Sequence, residues 1–173
     1  MPNNKKKNKR LGRFFRRIKI SFKKHPYLFM TYFILRLLVI AIMVTQFFNG
    51  AYDSVFLCLL TLFLFTLPSF VEKRLKIDVP NTLEIMILLF IFAAEILGEI
   101  REYYIIYSYW DTMLHTVNGF LCGAIGIALI DILNRSDRFV FRLSPFFGAM
   151  VAFCFSMTIG VLWEFFEFAM DTF

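Results

Sequence analysis

Histidine, cysteine and proline are scarce in this chain, and acid is missing altogether from its first 24 residues. Two histidines, three cysteines and five prolines occur among 173 residues. Cys58, Cys122 and Cys154 are odd in number, form no CxxC pair and lie inside apolar runs. That excludes a disulfide framework and a zinc knuckle, and marks them as small packing residues. A single histidine within apolar sequence cannot supply the two Glu-x-x-His motifs of a di-iron bundle. HExxH, GxSxG and a phosphate-binding glycine loop are all missing.

What the chain has in excess is apolar length. Hydrophobic residues make up 59%, phenylalanine alone accounts for 24 positions, and the mean hydropathy is +0.66. A water-soluble domain sits near half apolar. Five runs, at about 27–48, 52–71, 82–100, 111–133 and 145–170, are each long enough to cross a ~30 Å hydrocarbon layer as a helix. The fold class expected is all-α, a polytopic membrane helical bundle of about five transmembrane helices over residues 26–173, preceded by a basic juxtamembrane segment over 1–25.

The net charge of +6 reflects topology rather than nucleic acid, for which no binding is expected. Eleven Lys and Arg lie between Lys5 and Lys24, three more (Lys73, Arg74, Lys76) after the second run, and three (Arg135, Arg138, Arg142) after the fourth. Only Arg36 and Arg101 fall elsewhere. By the positive-inside rule the amino terminus is cytoplasmic. Leu11, Phe15, Ile18 and Phe22 share one helical face among the basic residues, as in an interfacial helix on anionic lipid headgroups. A disordered basic tail that only sets orientation reads equally well.

Local signals mark the helix ends. Pro26 opens the first run and Asn49-Gly50 closes it, Pro68 falls near the end of the second, and Ser144-Pro145 caps the fifth. Asn81 and Glu84 have the spacing of a capping box at the start of the third. The chain stops at "EFAMDTF" without a polar tail, the pattern of a chain cut before a sixth span.

With this topology the acids collect in the outer leaflet. Glu95, Glu99 and Glu102 lie four and three apart at the end of the third span. Asp111, His115 and Asn118 do the same at the start of the fourth, and Glu164, Glu167 and Asp171 at the end of the fifth. Each set shares a helix face. At ~1.5 Å per residue, Glu95, His115 and Glu164 lie roughly 6–9 Å inside their helix ends. Carboxylates at that depth are expected to turn inward, towards one another or a wet cavity. The crowded charge calls for protonation or for a divalent metal ion, with Glu95, Glu99, Asp111, His115, Glu164 and Glu167 as candidate ligands. An oxygen-rich set with one imidazole suits Mg, Mn, Ca or Zn without choosing among them.

Blander roles compete for the same residues. Asp111 suits a helix N-cap, His115 an interfacial hydrogen bond, Trp163 an interface anchor, and the glutamates an ion-pair network with Arg36. Asp131 and Arg135, four apart, fit a surface pair. Gly119, Gly123 and Gly126 would let another helix approach closely, either in this chain or, through the Gly119/Gly123 face, in a second copy.

"WDTMLHTVNGF" (110–120) together with "LSPFFGAMVAFCFSMTIGVLWEFFEF" (143–168) resembles the YjdF-like family of small bacterial multi-pass membrane proteins, through D-x-x-x-H and W-E-x-x-E patterns over roughly residues 109–171. The resemblance implies a bacterial cytoplasmic membrane and carries Asp111, His115, Glu164 and Glu167 over as the family's polar signature. In that family a further polar helix follows W-E-x-x-E. No activity comes with the name. Three uses of the polar site stay open: action on a lipid-linked substrate, with Glu164 or Glu167 as base, metal-activated water as nucleophile and His115 as ligand or proton shuttle; cation- or proton-coupled transport; or a structural ion-pair network.

Overall fold

A computed structural model describes residues 25–75, 79–135 and 144–172, apart from the side chains of 75, 132–135, 166, 167 and 169–172. The basic stretch up to Lys24, with its amphipathic face, lies outside the described residues, as do Lys76, Arg138 and Arg142. All regular structure in the described residues is helical: α1 (Pro26–Phe48), α2 (Tyr52–Leu64), α3 (Leu67–Leu75), α4 (Asn81–Ile91) running into a π-helical stretch (Phe92–Ile100), α5 (Tyr103–Ile106), α6 (Trp110–Arg135) and α7 (Pro145–Thr172).

Pro26 starts α1, where its missing N–H is not needed. Ser144 caps α7: its hydroxyl oxygen accepts from the Phe147 N–H at 3.3 Å and its carbonyl from the Gly148 N–H at 2.8 Å. The second expected span is interrupted. Pro68 cannot donate to a carbonyl one turn back, so the winding tightens at Phe65 and Thr66 before α3 resumes. Residues 52–74 nonetheless remain apolar and long enough to cross a membrane, as do Pro26–Phe48, Trp110–Asp131 and Pro145–Phe165.

The third expected span, residues 82–100, changes winding midway. Leu88 and Leu89 share the Phe92 N–H, and the stretch ends with Arg101 N–H bonding back five residues to Ile96 at 3.1 Å. Glu102 then takes a left-handed backbone conformation, φ 58°, which reverses the chain into α5. Gly98 makes the reversal fit: the Tyr104 ring lies where a β-carbon would be.

The capping box is not formed. Pro80 sits at the cap position without a side-chain bond, and the Asn81 amide instead meets His25 Nδ1 at 2.7 Å, tying the start of α4 to the start of α1. Asp111 is not the cap of α6 either, because the helix begins one residue earlier, at Trp110.

α1 packs on α2 and α4, α2 on the π stretch, α4 on α6, and α6 on α7. Leu35 and Val39 of α1, Cys58 and Phe65 at α2, Leu88 of α4 and Ile96 of the π stretch form the shared core. Thr61, fully buried, returns its hydroxyl hydrogen to the Leu57 carbonyl at 2.8 Å. Large apolar side chains cover the outside, with Phe48 and Phe146 both 81% exposed. This is the surface of an integral membrane protein, whose helices are held by close packing rather than by exclusion of water. One end carries Lys73 and Arg74 with the starts of α1 and α4; the other carries Glu99, Glu102, Asp111 and Glu164. These are the basic and the acidic end of the bundle.

Candidate functional site

α6 starts and α7 finishes at the acidic end. There His115 stands between two carboxylates: Nε2 faces Asp111 Oδ1 at 3.4 Å and Nδ1 faces Glu164 Oε1 at 3.6 Å. Asp111 precedes His115 by one turn of the same helix, while Glu164 crosses from α7. Both separations exceed a good hydrogen bond. The imidazole is half-buried, at 31% exposure, and both carboxylates are open.

The helices carrying these groups are not parallel neighbours of constant spacing. Towards the basic end they touch, and a β-carbon on Gly126 would meet Ala152 Cα at 3.0 Å. Farther along, Ser156 Oγ donates to the Gly119 carbonyl at 2.8 Å, and a Gly119 β-carbon would reach that oxygen only at 3.9 Å. Gly160 is one turn beyond Ser156 and one turn before Glu164, so it lies on the same face; a β-carbon there would meet nothing within 4 Å. The pair therefore opens as a wedge, with the Ser156–Gly119 bond as its floor and His115, Asp111 and Glu164 at its mouth. Asn118, whose amide oxygen accepts from Cys122 Sγ at 3.6 Å, flanks the floor. Close approach thus occurs within this chain, through Gly119 and Gly126; Gly123 stands in open space.

The other candidates are placed differently. Glu95 is half-buried and Glu99 exposed, both on the π stretch, and no hydrogen bond or ion pair joins either to the His115 group among the described residues. Glu102 is exposed in the reversal. Glu167 and Asp171 belong to α7, but their side chains lie outside the described residues, as does that of Arg135. Among the described residues no three His, Cys, Asp or Glu side chains are grouped closely enough to hold a metal. Trp163 is exposed beside Glu164. Arg36 turns away from the acidic end altogether, its guanidinium 5.0 Å from the centre of the Tyr32 ring.

A second polar cluster at the basic end escaped the reading of the sequence. Glu84, only 3% exposed, accepts on Oε1 from the Tyr32 hydroxyl at 2.6 Å and from Ser69 Oγ at 3.1 Å, and those two hydroxyls are themselves 3.1 Å apart. The signal was present in the residue type: an acid one turn inside an apolar run is costly unless it is paired.

A third feature is apolar. A groove of about 490 Å³ separates α4 from α6, lined by Met86, Phe90, Ala93, Met113, Val117 and Phe120 among others. Met113, Val117, Phe120 and Ala124 recur on one face of α6, whereas His115, Gly119, Cys122 and Gly126 lie about half a turn round. The groove and the wedge are therefore on opposite sides of that helix.

Comparison with known proteins adds family but no activity. The family described as "Predicted membrane protein (DUF2238)" matches residues 30–173, well beyond the motifs near the carboxyl end. An uncharacterized protein of Thermotoga maritima is 27% identical over 104 residues, 60% of this chain and 52% of its own length, so the chain spans about half of that curated relative. No solved structure matches.

Proposed function

We propose, on the premise that this chain belongs to the DUF2238 family of predicted membrane proteins, that the wedge between α6 and α7 is the working site of a cytoplasmic-membrane protein that acts on the polar head of a lipid-linked substrate at the outer leaflet. The observation that carries this reading is the placement of both His115 ring nitrogens against carboxylates, Asp111 on one side and Glu164 on the other. Imidazole is the side chain that takes and returns a proton near neutral pH. Held between two acceptors, it can take a proton from a substrate hydroxyl or water on the Glu164 side while Asp111 fixes the ring. The missing side chain at Gly160 leaves room for the reacting head beneath it. Intramembrane carboxylates are costly to keep for structure alone. The amino terminus is taken as cytoplasmic, which puts the acidic end outside.

A divalent ion at the same place is the second reading, and the 3.6 Å between Nδ1 and Glu164 Oε1 favours it. That gap is long for a hydrogen bond but suits two ligands of one ion with bonds of about 2.0–2.2 Å. Asp111 would then orient the ligating histidine from the far nitrogen. Glu167, one turn beyond Glu164, is the candidate third ligand, and the ion would supply an activated water.

A deletion strain's lipid profile tests the reading. A lipid-linked species is expected to accumulate, and to clear with the wild-type gene but not with His115→Ala or Glu164→Gln. An unchanged profile overturns the substrate class, and clearance by both variants overturns the site.

A further inference from the structure

We propose that Arg36 anchors a binding site for the phosphate of an anionic phospholipid, on the lipid-facing flank of α1 in the leaflet at the basic end. α1 turns Leu35 and Val39 into the core, while Phe33, Arg36, Leu37 and Ile40 lie together on an exposed face. Arg36 is thus one permanent charge in an apolar stripe. It follows Pro26 by ten residues, about 15 Å along the helix, near the middle of a ~30 Å hydrocarbon layer.

Two observations fix where that charge goes. The guanidinium lies over the Tyr32 ring at 5.0 Å, one turn nearer the basic end, a cation–π geometry that directs the side chain towards the headgroups. No carboxylate lies within ion-pair distance of it among the described residues, and Glu84 beyond Tyr32 already receives two hydroxyl hydrogens. A guanidinium carries five N–H donors, and a neighbouring ring leaves most of them for another partner. A charge at this depth is met by snorkelling and by local thinning of the bilayer, which lowers a headgroup towards it; on this face the anion so delivered is a lipid phosphate, which the planar fork binds with two hydrogen bonds. Lys73 and Arg74 at the same end, and the eleven Lys and Arg before α1, draw anionic lipid to that leaflet.

The test uses the full chain in nanodiscs of phosphatidylcholine with or without phosphatidylglycerol. Samples are extracted and washed in high salt, which screens charges open to water, and retained lipid is counted by native mass spectrometry. Wild type is expected to keep phosphatidylglycerol in preference to phosphatidylcholine. Retention should fall roughly tenfold in Arg36→Leu and about threefold in Arg36→Lys, which keeps the charge but loses the fork. Equal retention by wild type and Arg36→Leu overturns the site, as does equal retention of the two lipids by wild type. Should Arg36→Leu fail to fold, wild-type retention in Arg36→Lys overturns the two-bond contact. Inorganic phosphate that displaces the retained lipid at millimolar concentration reassigns the ligand to a soluble anion.

Discussion

Tyr32 donates its phenolic hydrogen to Glu84 Oε1 at 2.6 Å across 52 residues of sequence, and Ser69 reaches the same oxygen. One atom therefore ties α1, α3 and α4 together below the His25–Asn81 contact. Interhelical hydrogen bonds in membranes average only about 0.6 kcal/mol, with a maximum near 1.7. The short distance and the burial of Glu84 place this one at the upper end, since no water replaces a lost donor. Tyr32→Phe should lower the unfolding free energy by roughly 1–2 kcal/mol in a denaturant titration in micelles, and Ser69→Ala by less. A Tyr32→Phe protein as stable as wild type would show that the bond holds nothing together.

Gly126 and Gly123 should respond in opposite ways to alanine. A methyl at Gly126 meets the Ala152 backbone at 3.0 Å, which can yield only if α6 and α7 move apart, at a cost of about 1–3 kcal/mol. The same methyl at Gly123 enters open space and removes a helix-interior glycine, so stability should be unchanged or rise by up to ~1 kcal/mol. Melting curves of the two variants side by side check this. The reverse order would mean that the helix pair is built on the Gly119/Gly123 face instead.

Sequence disclosed those features whose causes are local. Pro26 and the Ser144-Pro145 pair start their helices where the missing proline N–H and the serine oxygen require, and the four-residue spacing puts Asp111 under His115 whatever surrounds them. Run boundaries also set His115 and Glu164 at similar depth, which is why their encounter was legible. Glu84 was misread because the three-residue spacing from Asn81 is equally local, whereas its partners come from 15 and 52 residues away. The face shared by Glu95 and Glu99 was readable, but not which helix it meets, since that depends on packing order. The π winding beneath them is bound up with Gly98 and Tyr104, a contact made only after the chain reverses at Glu102.

That contact gives a coupled pair. Gly98→Ala puts a methyl into the Tyr104 ring and should cost about 1–3 kcal/mol, because the ring is held by the short α5 turn. In the double variant with Tyr104→Ala the collision is gone, so the two losses should add to less than their sum by at least ~0.5 kcal/mol. A double-mutant cycle on melting data measures the difference. Strict additivity would place the Tyr104 ring elsewhere.

Metal binding separates a narrow site from a wide one. With His115 Nδ1 and Glu164 as ligands, Glu164→Gln should abolish binding of Mn or Zn ions measured by calorimetry. Asp111→Asn, which only removes the group holding the far nitrogen, should weaken it about 10- to 100-fold. Glu95→Gln and Glu99→Gln should leave it unchanged, because among the described residues no hydrogen bond or ion pair joins those two glutamates to the histidine. Equal losses in all four variants would mean that the three acidic stripes close on one ion, and that the wedge seen between α6 and α7 tightens when the ion enters. A wild-type chain that binds neither ion overturns the metal reading and leaves the proposed proton-carrier role of His115 to the lipid-profile test of His115→Ala.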